Sequence, residues 1–252
     1  MVFSNQDLSA SGTPILDRVG FFHFGGNKDN PSHSLKDSLQ VKDKEHLRES
    51  LIVIPEAFNV RGDYYGTPCC RDASICKQLR DISAELGVCF VAGLIDEQTN
   101  RSGAYLIDGG NYQELSQKRG SDISSCYVPA PASSHDNLVP HRGLGIAALV
   151  CMDAAQDNNP NKPWRTALLE RINLQLADSR VVLCVPSRMT GGLFDPIEIA
   201  KKWRKDLNAS ARERFAVVIA SATGSHSLIQ IGDSDPVCFK EQRNKVKTTS
   251  FQ

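Results

Sequence analysis

Apolar runs and polar, helix-periodic stretches take turns along most of this chain. Residues 18–24 read as a first strand, ended by Gly25-Gly26. The charged stretch up to Ser50 carries Leu35, Leu39 and Leu47 as the apolar marks of a helix. Residues 51–54 form a continuous apolar run of branched side chains, as expected of a strand buried on both faces. Residues 74–87 give the clearest amphipathic helix: Ile75, Leu79, Ile82 and Leu86 share one face, and Gly87 stands at the stop. Strands are expected over 88–95 and 103–107, then a polar loop after Lys118 with Pro129 and Pro131. A further strand leads up to Cys151, 164–178 is helical in period, 181–185 is a strand, and 196–213 is helical again. Runs at 215–220 and 227–231 close the series. Alternating strands and helices followed by paired strands argue an α/β fold. No linker divides residues 1–252, so a single domain is expected, with 1–13 and 240–252 as loose, polar tails or an arm.

Composition narrows the partners. With 40% hydrophobic and 23% charged residues, the chain can bury a sizeable core. Lys plus Arg and Asp plus Glu balance at 29 each, which gives no electrostatic footprint for nucleic acid or a membrane surface. The start lacks a basic region followed by an apolar one, and no apolar run approaches a membrane span, so a cytoplasmic location is expected. The eight cysteines stand at 69, 70, 76, 89, 126, 151, 184 and 238. None falls in a zinc spacing, and no histidine pair completes one, so neither a metal nor a cofactor is expected. Cys89, Cys151 and Cys184 lie in apolar runs, where a thiol is ordinarily a small buried hydrophobe.

Three pieces depart from that ordinary reading: Pro55-Glu56, Lys118 and Cys151-Met152-Asp153. A Glu and a Cys each end an apolar run, and in open α/β sheets the carboxyl ends of strands line the ligand crevice. An ionised Glu56 tight against residues 51–54 would be costly without a partner. Carboxylate, ammonium and thiol together supply a base, a charge stabiliser and a nucleophile for acyl transfer. A cysteine–histidine hydrolase is the competing chemistry, but none of His23, His135, His141 and His226 has a context that singles it out.

The ordered set resembles the nitrilase superfamily, the carbon–nitrogen hydrolases, whose pattern is an apolar strand ending Pro-Glu, a Lys past a strand and turn, and a strand ending Cys-x-Asp. Flanking features agree: Gly143-Leu144-Gly145-Ile146 before the Cys strand, Val185-Pro186-Ser187 at another strand end, the stretch from Trp203 through Arg212 to Val218, and Gly224-Ser225-His226-Ser227. The likeness spans roughly residues 14–238 and implies a four-layer α-β-β-α sandwich. It also implies Cys151 as nucleophile, Glu56 as general base, and Lys118 with the Met152 backbone N–H as oxyanion stabilisers. The product of attack would be a thioester, hydrolysed by water that Glu56 activates.

Two departures bear on specificity. Members often carry a second active-site glutamate after the Lys, and here only Asp122 is available for that place. After Cys-x-Asp this chain reads Ala154-Ala155-Gln156 in place of the usual arginine or aromatic residues. Nitrile-cleaving members usually have Trp-Glu after the Cys, whereas Met152-Asp153 matches amide-cleaving ones. The substrate implied is therefore a small-molecule carboxamide, with Arg188 the candidate to bind an acidic substrate end. A homodimer or higher homo-oligomer is among the expectations, but the C-terminal end is short beside that of many members, so the arm that commonly reinforces their oligomers does not carry over directly. The alternative is a catalytically weak binding or scaffold protein on the same fold.

Overall fold

The apolar runs become the inner strands of two stacked sheets. The structure is a computed structural model that describes residues 14–24, 31–61, 70–119, 127–131, 136–155, 164–188, 195–222, 226–240 and 244–251. In chain order its elements are β1 (Arg18–His23), α1 (Pro31–Gln40), α2 (Lys44–Arg48), β2 (Ser50–Ile54), β3 (Val60–Arg61), β4 (Cys70–Arg71), α3 (Ala73–Leu86), β5 (Cys89–Ile95), β6 (Ser102–Asp108) and β7 (Asn111–Gln117). There follow β8 (Leu138–His141), β9 (Leu144–Ala148), α4 (Met152–Ala155), α5 (Trp164–Gln175), β10 (Arg180–Pro186), α6 (Pro196–Lys205), α7 (Ala209–Arg212), β11 (Phe215–Ala220), β12 (Ser227–Ile231), β13 (Val237–Phe239) and β14 (Lys245–Ser250).

One sheet has the order β14-β1-β2-β5-β6-β7 and the other β13-β12-β11-β10-β9-β8; β3 and β4 make a separate short ladder. Strands β1, β2 and β5 run parallel, as do β9, β10 and β11, while the outer strands pair antiparallel. Alternation along the inner strands explains the unbroken apolar runs. Val19, Phe21, Leu51, Val53, Cys89 and Val91 pack in one cluster with the second sheet. Their neighbours Phe22, Ile52, Ile54, Phe90 and Ala92 pack instead with Leu35 and Leu39 of α1 and with Ile75, Leu79 and Ile82 of α3. Leu168 and Ile172 of α5 and Ile199 and Trp203 of α6 cover the far side of the second sheet. Each such aliphatic side chain contributes about 1.5–3 kcal/mol on full burial. The result is the four-layer α-β-β-α sandwich.

Helix α3 forms as its pattern dictates. Asp72 accepts from the Ser74 N–H at its start, and Gly87 at φ 68° ends it in the left-handed conformation. Elsewhere the structure corrects the sequence reading. The helix expected before Ser50 is two helices, α1 and α2, and the one over 196–213 breaks into α6 and α7 around Asp206. The loop expected after Lys118 contains β8, and a strand not expected at all, β7, precedes Lys118. The tail expected to be loose carries β14 at Lys245–Ser250, paired antiparallel with β1 from Arg18↔Ser250 to His23↔Lys245. Phe251 follows it into the core and lies under the Arg180 guanidinium. Among the described residues no helix is long and apolar enough to cross a membrane.

Candidate active site

Strand β2 stops at Ile54 because Pro55 has no N–H for the ladder. Glu56 then turns inward, and its N–H donates to the Ser187 carbonyl at 3.4 Å. Ala57 follows at φ 52°, in the left-handed region that non-glycine residues rarely adopt. The close fit depends on Gly93 of β5. A Cβ there would lie 2.5 Å from Glu56 Cα and 2.7 Å from Pro186 Cβ, so any side chain would force these strand ends apart.

The approach to Cys151 differs in detail from the sequence reading. Strand β9 ends at Ala148, and Leu149 and Val150 carry the chain beyond it. Leu149 N–H donates to the Cys184 carbonyl and Cys151 N–H to the Pro186 carbonyl, both beside the end of β10. Cys151 itself sits at φ 50°, and α4 starts at the next residue. A non-glycine residue held left-handed between a strand and a helix is a strained position that the surrounding hydrogen bonds maintain. Ser187 joins the two halves of the site: its carbonyl holds Glu56, and its hydroxyl donates to Cys151 Sγ at 3.6 Å.

Lys118 directly follows β7. Its N–H donates to the Ser102 carbonyl, and its own carbonyl accepts from Ala130 N–H, both at 2.8 Å. The side chain runs inward so that Nζ lies 2.8 Å from Glu56 Oε1, and Ser102 Oγ donates to the same oxygen at 3.0 Å. The Tyr127 ring lies 5.0 Å from Nζ, a cation–π distance. Glu56, Lys118 and Cys151 are all at most 1% exposed. An ion pair so deeply buried draws little stability from its charges, and removing one partner typically costs about 3–5 kcal/mol.

One residue on, Arg119 belongs to a different buried cluster. Its N–H donates to Asp153 Oδ2 at 2.7 Å, and its guanidinium lies 2.9 Å from Asp136 Oδ1 and 3.8 Å from Asp153 Oδ2. The Trp164 ring covers the guanidinium at 5.2 Å. Burial pushes the Asp136 carboxyl up from 3.8 to about 6, and the Arg119 charge only partly offsets this. Asp153 thus ties the segment after Cys151 to the residue after Lys118. On the other side of α4, the Trp203 indole donates to the Ala154 carbonyl.

The structure therefore brings Glu56 and Lys118 into contact and places Cys151 beside them through Ser187. Met152 opens α4 between Cys151 and Asp153. Arg188 follows Ser187, and its Nη1 donates to the Ala57 carbonyl at 2.9 Å. Asp122 lies outside the described residues. Sequence reasoning missed Ser102, Tyr127 and the Arg119–Asp136–Asp153 cluster. No local signal marks the first two, since a serine at a strand start and a tyrosine in a loop are commonplace. Cys89 and Cys184 are fully buried, as their apolar runs lead one to expect, and burial raises both well above the ordinary thiol range.

No protein-family model matches the chain, and no curated protein matches it significantly. Solved structures do. An amidase from Nesterenkonia sp. superposes with a TM-score of 0.62 at 16% identity, covering 94% of this chain and 90% of that one. A CN-hydrolase superfamily protein from Xanthomonas campestris, with an arsenic adduct in its active site, gives 0.58 at 17%, covering 94% and 90%. A carbon–nitrogen hydrolase from Helicobacter pylori gives 0.55 at 11%, covering 91% and 87%. Two helix-flanked six-stranded sheets and these superpositions together establish that the chain has the fold of the nitrilase-superfamily carbon–nitrogen hydrolases.

Proposed function

We propose that the protein is a cysteine-dependent hydrolase of a non-peptide C–N bond, acting on a carboxamide to give an acid plus ammonia or an amine. The observation that carries this reading is the buried Lys118–Glu56 ion pair beside a cysteine held in a left-handed turn. Packing alone gives no reason to bury an ammonium, a carboxylate and a strained thiol at the ends of three different strands. Structures of the Nesterenkonia amidase include one with acrylamide added at its active-site cysteine, which supports the same role for Cys151.

In this mechanism Glu56 takes the Cys151 thiol proton as Sγ attacks the amide carbonyl carbon. The ammonium of Lys118 balances the nearby negative charge and, with the Met152 N–H, receives the developing oxyanion. Removing one donor of this sort typically costs about 10²–10³ in rate. The C–N bond breaks as Glu56 returns the proton to the leaving nitrogen, leaving a Cys151 thioester. Water deprotonated by Glu56 attacks that thioester, the acid leaves, and the thiol is restored. Exclusion of bulk water from so buried a site strengthens each of these electrostatic interactions. Met152-Asp153 and the absence of arginine at 154–156 favour amides over nitriles and N-carbamoyl amino acids. Arg188, which follows Ser187 and donates to the carbonyl of Ala57, the residue after Glu56, is the group proposed to hold an acidic substrate end, and Asp122 the carboxylate proposed for the place of the second glutamate.

Ammonia release across a panel of amides, nitriles and carbamoyl compounds tests the substrate class. Cys151→Ala is expected to abolish turnover with the fold intact, and mass spectrometry of a quenched reaction to find the acyl adduct on Cys151 alone. Near-normal activity of Cys151→Ala would reject the mechanism. Alkylation of Cys151 no faster than that of Cys89 and Cys184 would favour a binding protein on this fold.

A further inference from the structure

The end of the sandwich away from Cys151 holds a second group of chemically capable side chains. Cys89 opens β5, whereas Gly93, which contacts Glu56, lies further along the same strand. Asp108 closes β6, whose first residue, Ser102, reaches Glu56. His141 closes β8, at the start of the hairpin into β9 that leads away toward Cys151. Cys89 and Asp108 are brought together one step beyond the Phe90↔Ile107 pair of the first sheet, and His141 comes to them from the second sheet.

We propose that Cys89, Asp108 and His141 form a zinc(II) site that clips the two sheets together at the end remote from the catalytic cysteine. One ligand atom from each of the three residues lies within 4.8 Å of the others. A tetrahedral zinc with bonds of about 2.0–2.3 Å spaces its ligands by about 3.3–3.8 Å, so only small side-chain shifts are needed. Thiolate, imidazole and carboxylate are the donor types that zinc takes together.

Two further observations point to a ligand rather than to packing alone. The Cys89 side chain is 0% exposed and faces an Asp–His pair rather than purely apolar neighbours. The carboxylate is also oriented in the manner of a metal ligand. Asp108 Oδ2 lies 2.8 Å from His141 Nε2, while Arg142 Nη1 donates to Oδ1 at 3.5 Å. Arg142 is itself fixed by the carbonyls of Pro14, Arg48 and Gly87. A carboxylate held on one oxygen presents the other in a set direction, which is how outer groups arrange metal ligands. His141 and Asp108 are 25% and 18% exposed, so a metal bound there has an entry path and a place for water as fourth ligand.

Binding exchanges protons for the metal. The Cys89 S–H bond breaks, an S–Zn bond forms and the proton leaves to solvent, since a coordinating thiol is deprotonated outright. The proton at His141 Nε2 either leaves as well or moves to Nδ1, freeing the nitrogen lone pair. No oxidant or reductant takes part.

The test is a titration of chelator-treated full-length protein with Zn²⁺ alone, against a chromogenic chelator, and a parallel titration with Co²⁺. One Zn²⁺ per chain is expected, with proton release and a thiolate-to-cobalt charge-transfer band. Cys89→Ala, which keeps the buried volume apolar, and His141→Gln, at a partly exposed position, should each weaken binding by more than about 100-fold, beyond what outer groups contribute. Cys151→Ala should keep the stoichiometry and the band, which separates this site from the catalytic thiol. The inference is overturned if the wild type binds no zinc, if the band survives Cys89→Ala, if folded His141→Gln binds like the wild type, or if Cys151→Ala removes the bound metal.

Discussion

Lys118 and Arg119 are neighbours in the chain, yet they enter two buried charge clusters of different design. Lys118 meets one carboxylate, Glu56, and shares its Oε1 with the neutral Ser102 hydroxyl. Arg119 meets two carboxylates, Asp136 and Asp153, under an aromatic lid. The first cluster balances one cation against one anion, beside the Cys151 thiol that the proposed mechanism has Glu56 deprotonate. The second carries an excess of carboxylate, and burial, with a smaller push from Asp153, raises Asp136 to about 6. Reaction chemistry requires a partner that can exchange a proton with its surroundings, whereas a permanently charged guanidinium can only hold. Under the proposed mechanism this difference suits Lys118 and Glu56 to the reaction. Arg119 and Asp153 position the Lys118 and Cys151 segments relative to one another.

The sharpest way to break this division is in the first cluster. Glu56→Gln and Lys118→Ala should each lower kcat/KM by at least about 10²–10³, and the double variant should be little worse than either, because groups that act as a unit lose activity non-additively. Additive losses, read from kcat/KM of the four proteins, would make the pair structural.

Arg119→Leu strands two buried carboxylates and is expected to cost about 3–5 kcal/mol in denaturant unfolding. Its rate loss should be smaller than that of Lys118→Ala. A fall in kcat as large as for Lys118→Ala, without loss of stability, would merge the two clusters into one catalytic unit.

Asp136 gives a finer test. Its folded pKa lies above the ordinary 3.8, so the folded state binds this proton more tightly than the unfolded chain does. The Asp136 contribution to stability is therefore most favourable below about pH 4, and it is lost as pH rises to about 6. Asp136→Asn should remove that component of the slope, measured as unfolding free energy from pH 4 to pH 7. An unchanged slope would place the Asp136 carboxyl in the ordinary range. The smallest effect expected is that of Arg188→Ala, which should raise KM for acidic amides relative to neutral ones while the kcat for neutral amides stays close to wild type.

The same contrast shows what the sequence could and could not reveal. Strands β2, β5, β9, β10 and β11 are buried on both faces and were legible as apolar runs, and with them the positions of Glu56 and Cys151 at their ends. Strands β7, β8 and β14 lie at sheet edges with polar, partly exposed faces, so no hydrophobic period marks them. Lys118 was picked out by its resemblance to a motif, while the strand that delivers it went unseen. The break between α6 and α7 at Asp206–Asn208 was hidden because apolar residues on either side, Trp203, Leu207 and Ala211, continue a helical spacing through it. Contacts such as Ser102 to Glu56 and Arg119 to Asp136 join residues far apart in the chain. Their partners are chosen by sheet order, which a linear pattern does not state.

Strand β14 has a consequence for handling the protein. It pairs along the whole of β1, whose Phe21 and Phe22 are fully buried, and Phe251 plugs the core just beyond it. Clipping the chain before residue 245 would bare a row of unpaired backbone groups on an apolar strand, the arrangement through which sheets of separate molecules join edge to edge. Trimmed material should therefore precipitate or form strand-exchanged aggregates while Glu56, Lys118 and Cys151 remain chemically whole. Proteolysis or an ill-placed C-terminal fusion could then imitate a loss-of-function mutation, and light scattering beside the activity assay would tell the two apart.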